Sequence, residues 1–360
     1  MTSTEYFIII IVLLVFIVIF QIAKASEYVS VLKGEKKAFE QNNRINAFLM
    51  LVFLVVGLTA AWWCNKVLYK KTLLGVPSAS DHGENIDTMM WITLAITGLV
   101  FIITQVLLFW FAFRYQASEK RKTFYYPHNN KLELLWTAVP AIALTVLVAF
   151  GLYYWFKITG DAPKTAMQVE ITGHQFGWEY RYPGKDNVLG RQHYKLVDPA
   201  KNNPLGQDWN DAANHDDLHP SELHLIVNKP VQLVIRSQDV IHDVGLPHFR
   251  LKMDAVPGTP TTMWFTPKYT TAEMKKITGN ENFVYEIACD QMCGVGHYSM
   301  RGVIVVDTQE EFDKWMAAQK PQFLTAHPDG VVPPAAKPAS AGAAYTAAPQ
   351  ETAVAHAEAH

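Results

Sequence analysis

The chain has 360 residues, 50% of them hydrophobic and only 18% charged, below the quarter usual for soluble proteins. A formal net charge of -2 gives no general electrostatic case for binding nucleic acid. Three cysteines, Cys64, Cys289 and Cys293, exclude a disulfide framework, and the apolar excess falls in blocks rather than evenly.

The first block, Tyr6 to Ala23, is almost wholly Ile, Val, Leu and Phe, and about 18 such residues just span the hydrocarbon core. A cleaved secretory signal is the alternative. Met1 to Glu5 carries no Lys or Arg and no clean cleavage site follows, which favours a retained helix. Further blocks run from Ala47 to Cys64, Met89 to Phe113 and Leu134 to Phe156. Pro140 is expected in the first two turns of the last one, where its missing N–H costs little. Trp62, Trp63, Trp91, Trp110, Trp136, Tyr153, Tyr154 and Trp155 lie near the block ends, as interfacial rings should.

Charge bias orients these spans. The loop expected at 24–46 holds Lys24, Lys33, Lys36, Lys37 and Arg44, and that at 114–133 holds Arg114, Lys120, Arg121, Lys122 and Lys131. Both read as cytoplasmic by the positive-inside rule. The 65–88 segment, the N-terminus and everything after Lys157 then face outward.

From about Thr165 the pattern changes to short β-type runs: Ala166–Thr172, Phe176–Tyr182, Glu222–Val227, Val231–Ser237, Thr261–Phe265, Phe283–Ala288 and Gly302–Val306. Their Val, Ile, Tyr and Trp enrichment predicts an antiparallel sandwich or barrel. A polar stretch at 184–221 interrupts them. Its second half, with Asp208, Asp211, Asp216, Asp217 and then Glu222, reads as a solvated loop or as a docking surface for a basic partner. Residues 307–318 predict a short helix capped by Thr308, with Glu311 completing a capping box. The Ala-, Pro- and His-rich tail, 327–360, has the composition of a disordered segment. No GxGxxG, Walker A or HExxH motif occurs.

The chemistry concentrates in Cys289-Asp-Gln-Met-Cys293-Gly-Val-Gly-His297-Tyr-Ser-Met300. Two thiols, an imidazole and a thioether lie within this run, and His242, on the strand–turn segment Val234 to Pro247, could supply a second imidazole. A Cys2His2 zinc site is one reading. Zinc gains nothing from a thioether, however, and CxxxC is not the usual short knuckle. Thiolate, imidazole and thioether together favour copper, whose oxidation state such a soft, fixed set lets change with little rearrangement. Two cysteines suggest bridging thiolates between two ions.

Residues 85 to 320 resemble subunit II of the haem–copper cytochrome c oxidases. The pieces are LELLWTAVPAI at 132–142, GHQFGWEY at 173–180, SQDVIHDVGLP at 237–247, LKMDAVPG at 251–258 and the Cys289–Met300 run. The resemblance implies an all-β cupredoxin-like Greek-key domain at 160–320, with the insertion 184–221. It would be attached to a transmembrane helix hairpin at 85–158 and preceded by an extra two-helix membrane region at 1–64. It also implies a dinuclear CuA centre of two copper ions. Cys289 and Cys293 would bridge them, His242 and His297 would each bind one, and Met300 and the Gln291 backbone oxygen would be the weaker ligands.

By the same resemblance, electrons would arrive from cytochrome c, or from a c-type haem subunit of a neighbouring complex. They would leave for the haems of subunit I, where oxygen is reduced to water and protons are translocated; subunit III would complete the assembly. The setting would be a bacterial inner membrane, with the copper domain on the periplasmic side. Glu133 would stand at the mouth of a proton channel, although a carboxylate at a helix start also has a purely local use.

The sequence departs from the pattern in places. Gln291 stands where a glutamate usually helps hold Mg²⁺ at the boundary with subunit I, which leaves that metal open. Phe176 stands where a tryptophan usually receives the electron, with Trp178 close by in the same aromatic stretch. Asp239 is a candidate for orienting a basic donor. No CxxCH haem motif is present. Two further readings stay open: a copper-binding or assembly membrane protein, and the CuA domain of a nitrous-oxide-reductase-like enzyme.

Overall fold

The structure is a computed structural model that describes residues 3–118 and 121–331. Of the tail expected at 327–360, residues 332–360 lie outside the described residues. Contacts divide the chain into two compact units. One comprises the residues up to Thr72 with Met90–Thr145, the other Leu73–Met89 with the residues from Val146 on.

Four helices are long and apolar enough to cross a membrane among the described residues. They are α1 (Ser3–Lys33), α2 (Glu35–Leu68), α3 (Asp81–Arg114) and α4 (Asn130–Thr159). Each overruns its apolar block. The loop expected at 24–46 is helical apart from Gly34, which takes a φ of 81° between α1 and α2. The physical reason lies in its composition: Lys, Glu, Ala and Gln are good helix formers, so the helix continues past the hydrocarbon limit. A second correction concerns Pro140. Because α4 starts at Asn130, Pro140 falls in the helix interior, where it removes the hydrogen bond otherwise made to the Trp136 carbonyl.

The second unit contains two β-sheets. One joins β1 (Met167–His174), β2 (Gly177–Arg181), β4 (Val231–Ser237) and β7 (Thr261–Phe265) in the order β2-β1-β4-β7. The other has β3 (Leu223–Ile226), β5 (His242–Leu246), β6 (Leu251–Ala255), β8 (Tyr285–Cys289) and β9 (Arg301–Asp307), in the order β3-β9-β8-β5-β6. The strand alternation that marked these runs is the packing rule of the core. Val169 and Ile171, Leu233 and Ile235, Val244 and Leu246, and Tyr285 and Ile287 are all buried in one apolar cluster.

The expectation of a purely antiparallel fold does not hold, since β1 pairs with β4 and β3 with β9 in parallel. Parallel partners need a long crossover, and the segments 175–230 and 227–300 supply it. Strand β5 lies in the segment read as strand and turn, and β6 was not among the runs named.

The helix α6 (Gln309–Ala318) has the expected capping box, with Thr308 and Glu311 each accepting the other's backbone N–H. Its Trp315 stacks on His224 at 4.0 Å and meets Tyr182 at 5.5 Å, which docks it on the sheet. Two short helices, α5 (Thr271–Thr278) and α7 (Gln322–Ala326), were not foreseen.

In the insertion at 184–221, exposed over 185–188 and 194–196, the acids of the second half are largely held by partners within the domain. The segment wraps a buried polar cluster in which Arg181 donates to Asp217 at 2.8 Å, to the Asn214 side chain at 2.8 Å and to the Gly190 carbonyl at 2.7 Å. Asp208 and Asp211 pair with Arg191, and Asp216 accepts the Lys185 and Asp186 N–H groups. Those acids serve the loop's own fold.

Candidate metal centre

The centre forms where β5 begins and β8 ends. These strands run antiparallel with Val244 opposite Cys289, which sets His242 and Cys289 side by side at one end of the sheet. The chain from β8 to β9 then turns back on itself. Cys289 N–H donates to the Met300 carbonyl at 3.1 Å, and the 3-10 turn His297–Ser299 is held by His297 N–H to Gly294 O. This closed loop brings all six sequence-predicted residues of the cluster together.

The two sulfurs stand 3.7 Å apart, too far for a disulfide. Each has its own imidazole: Cys289 Sγ lies 3.8 Å from His242 Nδ1, and Cys293 Sγ lies 3.7 Å from His297 Nδ1. Met300 Sδ is 3.8 Å from Cys293 Sγ, and the Gln291 carbonyl is 3.1 Å from Cys289 Sγ. The donor atoms of His242, Cys289 and Cys293 all fall within 4.8 Å of one another. Cys289, Cys293, Met300 and His242 are buried. Burial, then hydrogen bonding and charge from Cys289, pushes the Cys293 thiol up to about 11. Without a metal Cys293 keeps its proton at neutral pH, so an incoming ion has to displace it.

Four residues around the donors, Asp239, Gln175, Phe176 and Trp178, explain how they are held. Asp239, a candidate for orienting a basic donor, is exposed and also contacts a ligand. Its Oδ1 lies 2.8 Å from His242 Nε2, and its Oδ2 accepts the Gln175 N–H at 2.7 Å. With Nε2–H donated to the carboxylate, His242 Nδ1 keeps its lone pair facing the thiols. Gln175 also donates its side-chain amide to the Cys293 carbonyl, tying the second ligand loop to the first. Gln175 was missed in the sequence because a polar residue in a turn carries no periodic signal. Phe176 and Trp178 pack on the buried sulfurs, and the Trp178 ring stands 6.0 Å from that of His242. Gly294 and Gly296 make this possible, because the Phe176 ring occupies the place a side chain would take at either position.

Glu133 lies outside this cluster, in the first turn of α4. There its carboxylate accepts the Asn129 N–H at 3.2 Å, while Asn129 Oδ1 accepts that of Leu132. The local role of a helix-start carboxylate is therefore present in the structure.

Helices long enough to span a membrane and a cupredoxin-like β domain with buried thiol, imidazole and thioether donors define a class: membrane-anchored domains equipped for a soft metal. Residues 167–308 match the family described as cytochrome c oxidase subunit II, periplasmic domain, and residues 74–154 match its transmembrane domain. The alternative cytochrome c oxidase subunit 2 of Bradyrhizobium diazoefficiens is 32% identical over 279 residues, covering 76% of this chain and 91% of that protein. Cytochrome c oxidase subunit 2 of Cereibacter sphaeroides is 28% identical over 250 residues, 67% of this chain and 78% of the relative. Among solved structures, the periplasmic domain of subunit II of the Bradyrhizobium japonicum cytochrome oxidase aligns with a TM-score of 0.30 and 25% identity. That alignment covers 47% of this chain and 99% of that one. The chain belongs to the cytochrome c oxidase subunit II family. It is a membrane-bound subunit of a haem–copper oxidase complex, with its β domain on the periplasmic side.

Proposed function

We propose that this chain carries a dinuclear CuA centre, which takes single electrons from a cytochrome c and hands them to haem in subunit I for reduction of oxygen to water coupled to proton translocation. The observation that carries the reading is the pair of thiols 3.7 Å apart, each facing its own imidazole. Metal–thiolate bonds run to about 2.3 Å, so one ion can touch both sulfurs and two ions can share them. His242, His297, Cys289 and Cys293 would hold the copper, with Met300 Sδ and Gln291 O as weaker donors. The soft sulfur–nitrogen set suits copper over zinc, and the fully buried Met300 keeps water from that side.

This chain's own residues supply the remaining functions. Asp239 and Gln175 hold the two ligand loops in one arrangement. Phe176 and Trp178 are the aromatic groups in contact with the sulfurs, and the electron from cytochrome c, or from a c-type haem subunit, arrives through one of them. Met292, Val295 and Tyr298, which are 73%, 103% and 84% exposed on the ligand loop, give a donor or subunit I an apolar surface to seat on. Glu133 takes up protons at the channel mouth in addition to capping α4. Replacing it by Gln slows oxygen turnover and leaves the copper spectrum unchanged; unchanged turnover removes it from the proton path.

Copper analysis and paramagnetic resonance on the detergent-solubilised full chain test the centre. Two coppers per chain and a multi-line signal from one shared electron are expected, with Cys293→Ser abolishing both that signal and cytochrome c oxidation. One copper with an ordinary four-line pattern overturns the dinuclear reading in favour of a copper-binding or assembly role.

A further inference from the structure

Strand β4 turns alternate side chains to opposite faces. Leu233 and Ile235 are buried in the core, so Arg236 belongs to the outer face of its sheet. Its register partner on β1, Thr172, shares that face, because Val169 and Ile171 take the inner one. Beside these two residues the insertion and the β6–β7 turn enclose a cleft of about 710 Å³. Tyr194, Val197, Leu205 and Pro257 are among the residues that line it with them. That volume suits a small organic molecule.

Both walls are hydrogen-bonded in place. On the insertion side the His193 N–H donates to the Gly206 carbonyl at 2.8 Å, and the Gln238 side chain donates to the Pro204 carbonyl at 2.6 Å. On the turn side Ser237 bridges to Pro257 and Val256 to Thr259. A cleft built beforehand costs little ordering when it is filled.

The polar groups beside the cleft are donors in need of an acceptor. Arg236 gives its Nε–H to Glu170 at 2.8 Å, and its two terminal nitrogens meet no partner among the described residues. The Thr172 hydroxyl is buried and equally without one. A guanidinium fork with free N–H groups matches a carboxylate. Charge sets the limit on that ligand. Arg181 and Arg236 together balance Glu170 and Asp217, and Asp239, which also lines the cleft, adds a further carboxylate. One negative charge fits against the Arg236 fork, whereas a dianion such as phosphate meets more repulsion.

We propose that this cleft binds a small organic monocarboxylate, with the carboxylate on Arg236 and the apolar body against Tyr194, Val197, Leu205 and Pro257. The site needs no copper, so its test is independent of the metal centre.

Equilibrium dialysis of 2-naphthoate against the full chain in detergent, corrected for detergent alone, is the experiment. Saturable binding with one naphthoate per chain is expected. Arg236→Met lowers the affinity at least about tenfold, and Arg236→Lys, which keeps the charge without the fork, recovers part of it. The uncharged 2-naphthamide binds the parent at least about tenfold more weakly than naphthoate does. Tyr194 is 76% exposed, so Tyr194→Ala leaves the buried Glu170 pairs and the fold intact and weakens binding several-fold. That variant decides the matter should Arg236→Met be unstable. The proposal is overturned if no saturable binding occurs up to millimolar concentration, or if naphthamide binds as well as naphthoate. It is equally overturned if inorganic phosphate displaces naphthoate at equal concentration.

Discussion

Two loop regions of the β domain are built from polar residues, and they use them in opposite ways. In the insertion at 184–221 donors and acceptors answer one another. Arg181 is shared among Asp217, Asn214, Gly190 and Glu170, and Glu170 in turn takes Arg236 and Gln192. At the metal corner the groups that converge are two thiols, two imidazoles and a thioether, which make poor hydrogen bonds with each other. A polar loop whose groups satisfy one another is structure. One whose soft donors face a common point, braced from behind by Asp239 and Gln175, is a site.

That contrast can be broken from the insertion side. Arg181→Met leaves Glu170 and Asp217 buried without their main cation, and removing one member of such a buried pair costs about 3–5 kcal/mol. We expect a large fall in the unfolding midpoint with two coppers still bound in the folded fraction. Loss of copper from protein that remains folded would mean that the insertion also shapes the metal corner.

The insertion also contains a proton-sensitive group. His219 has both ring nitrogens buried without a hydrogen-bond partner among the described residues. Burial, then the charge of Arg181, lowers its pKa from 6.5 to about 4. The unfolded chain takes up this proton near pH 6.5 and the folded chain only near pH 4. Stability is therefore full above the upper value and is lost as pH falls through this window. The loss approaches about 3 kcal/mol at its lower end. Thermal midpoints of the parent and of His219→Leu, measured across that range, check this. The variant should fall less steeply, and parallel curves would assign the acid sensitivity elsewhere.

How far the sequence carried the fold depends on whether the signal was local. Strands Val231–Ser237 and Thr261–Phe265 were legible to the residue because one face of each is buried and side chains alternate. The Thr308–Glu311 box was legible because its partners are three residues apart. Strand β5 was hidden since it is buried on both sides and does not alternate. The acids of the insertion misled for the same reason: their partners Arg181 and Arg191 are distant in sequence or look like ordinary surface charges. At the metal corner the ligand types were legible from composition. The contact of Asp239 with His242 was not, because only the folded β4–β5 connection brings its carboxylate onto the far nitrogen of that ring.

Asp239 gives the finest test of the comparison. If the metal corner is a site braced from behind, weakening the brace should loosen the metal without unfolding the domain. Asp239→Asn keeps the size of the side chain and an oxygen able to accept from His242 Nε2, but loses the charge that fixes the proton there. Partners of this kind are typically worth about 10–100-fold in metal affinity. Copper should therefore be lost to a competing chelator that much more readily, with an unfolding midpoint close to that of the parent once copper is removed from both. Asp239→Ala, which also frees the Gln175 N–H, should lose copper faster still. Equal retention in all three would return Asp239 to the surface role first expected of it, because a carboxylate that steers a donor changes the rate of electron arrival and leaves the grip on copper alone.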